Sequence, residues 1–293
     1  RALYGSVAVS SVGDGIFAAA LPLATAALTR DPAAVALVSA AEMVPWLVMN
    51  PVAGALVDRW PYRAVMVAAD LSRFALLLAL AAMVVTGTVS VPALAIVACL
   101  VMTGTVFFDT ASQAVIADLA KRDTDTLNRA NGIVGSTTNA GRNLVGPPAG
   151  SATYAAVAWV PFLIDAITFL VSAALVALLP RTTQRTQTNR EPIMRSIWKG
   201  AKWLAKHATL RSYCLIIAVG NLAYSAALAT FVLYAQDVLG VAEATYGVLL
   251  SAGAVGGVIG GLIAAHVLRV TGDTWGLIGG MAVQAVAWLV IAA

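Results

Sequence analysis

The sequence predicts an all-α protein that crosses a membrane many times, and three observations carry that expectation. Hydrophobic residues make up 60% of the 293 positions and charged ones only 11%, where a soluble domain carries about 25% charged residues. The apolar residues gather into runs of about 20 or more, the length that crosses a hydrocarbon core of ~30 Å. Lys and Arg collect almost wholly in alternate gaps between those runs. Lipid offers backbone groups no partner, so each run must be helical.

Nine runs read as spans: 3–29, 32–57, 64–87, 91–117, 130–157, 160–180, 212–236, 244–268 and 275–293. The first exceeds the apolar core of a leader peptide and eight more follow it, so it reads as a span. With the N-terminus cytoplasmic, that side receives Arg1, Arg59, Arg63, Lys121, Arg122, Arg129, the eight basic residues from Arg181 to Arg211, and Arg269. The other side receives only Arg30. The positive-inside rule therefore sets the orientation and accounts for the net charge of +4 without nucleic acid. Cys99 and Cys214 fall in or beside spans and imply no disulfide framework. The last run ends at Ala293 with no polar residue after it, and the chain is expected to be a fragment of a longer protein.

Several spans carry charge, which is costly in lipid and so should face the bundle or a wet cavity. Asp14 lies ~16 Å along the first span, Arg142 ~18 Å along the fifth and Glu42 ~15 Å into the second, all near the midplane. Gly13 and Gly15 bare the backbone around Asp14, which admits water or close packing. Asp14, Glu42 and Arg142 are the leading site candidates, and Asp109, nearer the cytoplasmic end of the fourth span, is another. A buried ion pair among them is the competing structural reading. Asp70 and Arg73, three residues apart on the third span, are expected to pair. Asp165, in the first turns of the sixth, reads as helix-terminus packing. In the seventh span Asn221, Tyr224, Ser225 and Gln236 offer polar contacts, and Phe231 and Tyr234 aromatic ones. Gly253, Gly256, Gly257, Gly260 and Gly261 read as a packing seam of the eighth rather than a nucleotide loop.

The long polar interruption at 181–211 divides six spans from three. Its Thr-, Gln- and Arg-rich first part reads as a linker. Farther on, Ile193, Ile197, Ala201, Leu204 and Ala208 recur at helical spacing opposite Arg195, Lys199, Lys202 and Lys206. Such a helix either lies on anionic headgroups at 193–208 or caps the bundle from water. The expected domains are 1–180, the linker 181–211, and 212–293. A faint repeat relates the turn Gly54–Met66 to Gly260–Gly276, as in transporters built from two halves.

"GALVDRWPYR" at 54–63 places charges between two apolar runs. Gly54, Leu56, Asp58, Arg59 and Arg63 resemble the cytoplasmic loop signature of the major facilitator superfamily, Gly-x-Leu-Ala-Asp-Arg-x-Gly-Arg-Lys. Pro61 and Tyr62 depart from it, at the second Gly and the first closing basic position. The resemblance implies that Gly54, Asp58, Arg59 and Arg63 form a latch between two halves. Gly54 would admit a neighbouring helix, Asp58 would accept from a helix N-terminus, and the arginines would hold carboxylate or lipid phosphate. Plain topology charges account for the arginines but not for the Asp.

"RNLVGPPAGS" at 142–151 is similar to the antiporter signature of exporters in that superfamily, with Gly146, Pro147 and Gly150 matching and Arg142 and Ser151 standing where Gly is usual. Gly and Pro there weaken the helix and permit a kink. "SSVGDGI", "LNRANGI", "FLIDAITFLVSA" and "GAKWLAKHATLR" extend the likeness to the branch of bacterial enterobactin exporters and macrolide efflux proteins.

The resemblance implies a helical bundle of two six-helix halves, the second truncated here, with the first, second, fourth and fifth spans lining a central cavity. It further implies a multi-pass protein of the bacterial inner membrane, a monomer, that exports an amphiphilic small molecule in exchange for protons. The fourth span lacks the Arg that many proton-coupled members carry. Asn221, Tyr224 and Phe231 are the substrate-cavity candidates. An uptake symporter of the same fold and a transport-inactive receptor or scaffold are the alternatives. No phosphate loop, His-Glu-x-x-His, Gly-x-Ser-x-Gly or metal-ligand cluster is present, so neither an enzyme nor a metal or cofactor is expected.

Overall fold

The computed structural model describes residues 2–119, 123–179 and 193–292. The linker part expected at 181–192, and the basic residues Arg1, Lys121 and Arg122, lie outside the described residues. So do the side chains of Ile193, Arg195, Ile197, Ala201, Gly261, His266 and Arg269. Every regular element among the described residues is helical: α1 Ala2–Leu28, α2 Pro32–Val48, α3 Asn50–Val57, α4 Tyr62–Val85, α5 Val91–Leu119, α6 Thr124–Asn139, a π-helical segment Ala140–Val145, α7 Gly146–Ala156, α8 Val160–Ala177, α9 Ile193–Lys206, α10 Ala208–Asp237 and α11 Glu243–Ala292. Six of these are long and apolar enough to cross a membrane.

The local chemistry explains the boundaries. Asp31 caps α2 by accepting from the Ala33 N–H at 3.0 Å, with Pro32 at the first helical position, where no N–H is needed. The run 32–57 is not one helix as expected. Pro51 has no N–H to offer, and the chain turns at Met49 before α3 begins. Asp123 caps α6, accepting from the Thr126 N–H at 3.1 Å. Hydrogen bonds from the Thr126 side chain and backbone hold the Asp123 carboxyl below its ordinary pKa. That cap is therefore complete above the usual carboxylate range and is lost as pH falls through its lowered pKa. A break falls within the interval 269–274, as expected. Two helices of α11 meet at Gly272, whose φ of 76° is a backbone conformation that favours glycine.

α1 is the hub, packing against α8, α7, the π segment and α6. α4 packs on α8 and α5, and α5 on α2 and α3. Two apolar clusters fill this bundle. One, toward the Arg30 end, holds Phe17, Leu21, Leu77, Leu94, Phe162 and Phe169. The other, toward the Asp58 end, holds Leu3, Val7, Met66, Phe108, Ile116 and Val176. Along α1, α4 and α5 a layer of buried polar residues separates the two: Asp14, Asp70, Arg73 and Thr105.

With no hydrophobic drive between helices in lipid, close approach depends on small residues. Where α1 meets the π segment, a Cβ on Gly15 would lie 2.6 Å from the Arg142 carbonyl. Gly150 of α7 likewise lies against the backbone of Ile16. Gly150→Ala is expected to destabilise the bundle by about 1–3 kcal/mol through overpacking. A lowered melting temperature of the purified protein in detergent would show it.

Candidate functional site

The polar layer is organised around Arg73. Its side chain is 1% exposed. The guanidinium donates to Asp70 and, at 3.3 Å, to Thr105 Oγ1. It lies between two aromatic rings, 3.9 Å from the Phe169 centroid and 5.0 Å from that of Phe108. The Asp70 and Arg73 pair expected from the spacing thus forms, but it is not isolated. Gly104 of α5 has no side chain where the Arg73 stem passes, and a Cβ there would lie 2.8 Å from Cγ. Stacking, a carboxylate and a hydroxyl all converge on the planar guanidinium, which an ammonium would not satisfy.

Asp14 and Asp165 face this group from α1 and α8. Both are buried, and Asp165, in the second turn of α8 as the sequence implied, packs its carboxylate against Gly13, one residue from Asp14. Thr168 donates to Asp165 Oδ1 at 3.2 Å. Among the described residues Asp14 Oδ1 and Asp165 Oδ2 have no hydrogen-bond partner, and Asp70 has the Ser172 hydroxyl beside it. Asp109 is half-buried on α5, within electrostatic reach of Asp14, Arg73 and Arg142. Arg142 also acts on Glu42 of α2, so it links the layer to Glu42.

Arg142 occupies the π segment, an irregularity found most often at functional sites. The weakening expected at Gly146, Pro147 and Gly150 is displaced: α7 is regular from Gly146 onward, and the irregular turn precedes it. Pro147 and Pro148 cannot donate to the carbonyls one turn back. The Leu144 carbonyl instead accepts from Ser251 Oγ of α11 at 3.1 Å. Nearby, Ser151 Oγ donates to the Ala244 carbonyl at 3.0 Å, and Gly247 lies against the Pro147 carbonyl. At the same end Arg30 reaches Gln236 at 2.7 Å and Asp237 at 3.2 Å. α10 and α11 are thus joined to α2 and α7 from the Arg30 end down to mid-depth.

At the opposite end Asp58 and Arg59 are exposed after α3. Arg63 donates to the Leu179 carbonyl at 3.0 Å, just past α8, where the helix dipole favours a cation. The close approach expected at Gly54 is not made in this conformation, since a Cβ there would meet nothing within 4 Å. α9 packs on α3, and it exposes Trp198, Trp203, Lys202 and Lys206. Among the substrate-cavity candidates, Phe231 stacks with Tyr234 and approaches buried Tyr246, which places it in the joined end. Asn221 and Tyr224 are exposed lower on α10.

The family model of the Major Facilitator Superfamily matches residues 3–293. The chain belongs to the major facilitator superfamily. It is similar to two proteins described as uncharacterised MFS-type transporters, from Mycobacterium bovis and Mycobacterium tuberculosis, each 38% identical over 88 residues. Each alignment covers 29% of this chain and spans only 20% of the relative. This superfamily chain is accordingly a multi-pass membrane protein.

Two features of this superfamily member escaped the sequence reading. Arg73 was assigned only a local pair, because its stacking on Phe108 and Phe169 joins three helices that periodicity cannot align. The facing of Asp165 and Asp14 was missed for the same reason, although Gly13 beside Asp14 was a usable signal of close approach.

Proposed function

We propose that the protein is a secondary active transporter that exports an amphiphilic small molecule, of the drug, macrolide or siderophore class, in exchange for protons. The halves are 1–180 and 212–293, joined by 181–211, and the protein sits in a bacterial inner membrane with its N-terminus cytoplasmic. The observation that carries the reading is the pair of intramembrane carboxylates, mid-depth Asp14 and the more cytoplasmic Asp109, within electrostatic reach of each other and near Arg142, where α1 meets an irregular helix. Such groups can exchange a proton with either side if the bundle alternates its opening. The joined Arg30 end fits this, because its fastenings are breakable. An exposed ion pair such as Arg30 with Asp237 contributes about 0–1 kcal/mol.

Glu42 shares Arg142 with Asp109 and is the alternative carrier. The cytoplasmic latch is assigned to Gly54, Asp58, Arg59 and Arg63, engaged when the Arg30 end opens. In the full-length protein Asp58→Asn is expected to reduce turnover while leaving insertion intact. Normal turnover in membrane vesicles would remove the latch role. The test of the whole reading is accumulation of erythromycin or a catecholate siderophore in inside-out vesicles carrying the full-length protein. Accumulation only in right-side-out vesicles would reverse the direction.

α9 is assigned to anionic headgroups through Lys199, Lys202 and Lys206, with Trp198 and Trp203 at the interface. A peptide of residues 193–208 is expected to bind vesicles containing phosphatidylglycerol, and raised salt is expected to weaken that binding by screening. A peptide that stays unbound at low salt would show that α9 serves only to cap the bundle.

A further inference from the structure

We propose that Asp165 of α8 is a proton-binding residue that works with Asp14, in a layer beneath the face of α1 that meets Arg142. This inference rests on the proton-coupled reading above and adds a residue to it.

Charge comes first. Among the described residues the charged groups that act most on Asp165 are Asp14 from α1, Arg73 from α4 and Arg142 from the π segment. Adding the groups that act on these, Asp70 and Asp109, gives four carboxylates facing two guanidinium groups. Arg142 is further divided by Glu42. Fully ionised, the layer would hold excess negative charge between two apolar clusters, at several kcal/mol for each uncompensated ion. Something cationic must enter, and a proton is the smallest.

Geometry then selects the place. Asp70 is committed to Arg73. Asp165 is 0% exposed and has no cation as hydrogen-bond partner, only the Thr168 hydroxyl on Oδ1. Its Oδ2 is unpartnered, and so is Oδ1 of Asp14 on the facing helix. Gly13 leaves room for the Asp165 carboxylate to lie on the α1 backbone beside Asp14. Two orphaned carboxylate oxygens on adjoining helices can carry a proton that neither helix alone would hold.

Other buried groups point into the same layer. Arg73 Nε has no acceptor, and the Ser172 hydroxyl, 0% exposed and beside Asp70, makes no well-formed hydrogen bond. Both lie on the Asp70 side of the layer. Among the described residues no three His, Cys, Asp or Glu side chains converge to hold a metal ion, which favours the proton over a coordinated cation. Loss of the proton from Asp165 leaves its carboxylate with the Thr168 hydroxyl in the field of Arg73 and Arg142, and Asp14, at 8% exposure, is the more open neighbour through which it departs.

The test is infrared difference spectroscopy of the purified full-length protein, with carbon-13-labelled aspartate, between acid and alkaline pH. The expected result is a labelled carboxylic-acid C=O band at acid pH that loses intensity in Asp165→Asn. In Asp165→Glu part of that band should move to the unlabelled position, which covers the case in which the Asn variant does not fold. A labelled band unchanged in Asp165→Glu overturns the proposal. Sodium at fixed pH is expected to leave the band untouched, and its loss on adding sodium would show that the layer takes a metal cation instead. If the band titrates through Asp165 while the wild-type protein moves no substrate on a pH gradient, the transport reading fails and the proton site stands.

Discussion

Asp14→Asn in the full-length protein is expected to abolish uphill, gradient-driven export while leaving downhill exchange. Asn keeps the size of the side chain and its place beside Gly13 and Gly15 but cannot titrate. At 8% exposure the carboxylate is more open than Asp70 or Asp165, and among the described residues its Oδ1 has no hydrogen-bond partner. Accumulation of substrate against a gradient should fall to the level of passive equilibration, measured in vesicles with an imposed pH difference. Glu42→Gln belongs beside it. Retained accumulation in Asp14→Asn with loss in Glu42→Gln would move the carrier to Glu42. Retention in both would end the assignment of coupling to these residues.

The largest loss of stability is expected from Arg73→Met. Removing one partner of a buried ion pair costs about 3–5 kcal/mol, because the other charge stays behind in a low dielectric. Here the guanidinium also lies over Phe108 and Phe169 and serves Asp109 and Asp165 at longer range. Arg73→Lys is expected to recover only part, since an ammonium cannot lie flat between two rings. The double variant Asp70→Asn with Arg73→Met should be less damaged than Arg73→Met alone, having one fewer stranded charge. Thermal unfolding of detergent-purified variants, followed by circular dichroism, measures all three. Equal stability of Arg73→Met and wild type would show that the layer is hydrated, with no buried charge to strand.

Much of this architecture was legible in the sequence. Length and apolarity of each run fix a helix in lipid, because nothing else satisfies the backbone there. The breaks inside runs were harder. Pro51 is visible, yet whether a proline bends, breaks or merely starts a helix depends on what takes up the freed carbonyls. Near Pro148 the answer is Ser251, more than 100 residues away, whose hydroxyl meets the Leu144 carbonyl. The break expected at 269–274 is made by Gly272, a single positive-φ residue. The candidate site was legible as a list of intramembrane charges and not as an arrangement. Asp14, Glu42 and Arg142 were readable from depth, but Arg73 and Asp165 gain their place only when α4 and α8 pack together.

Simultaneous measurement of substrate and proton movement shows whether Asp14 couples the two. Inside-out vesicles with the full-length protein, acidified by respiration and loaded with a pH-sensitive dye, would receive erythromycin or a catecholate siderophore. The account predicts that substrate entry is matched by proton exit, and that Asp14→Asn vesicles show neither uphill entry nor the matching proton flux. Substrate accumulation with the internal pH unmoved, or a proton flux unchanged in Asp14→Asn, would contradict it.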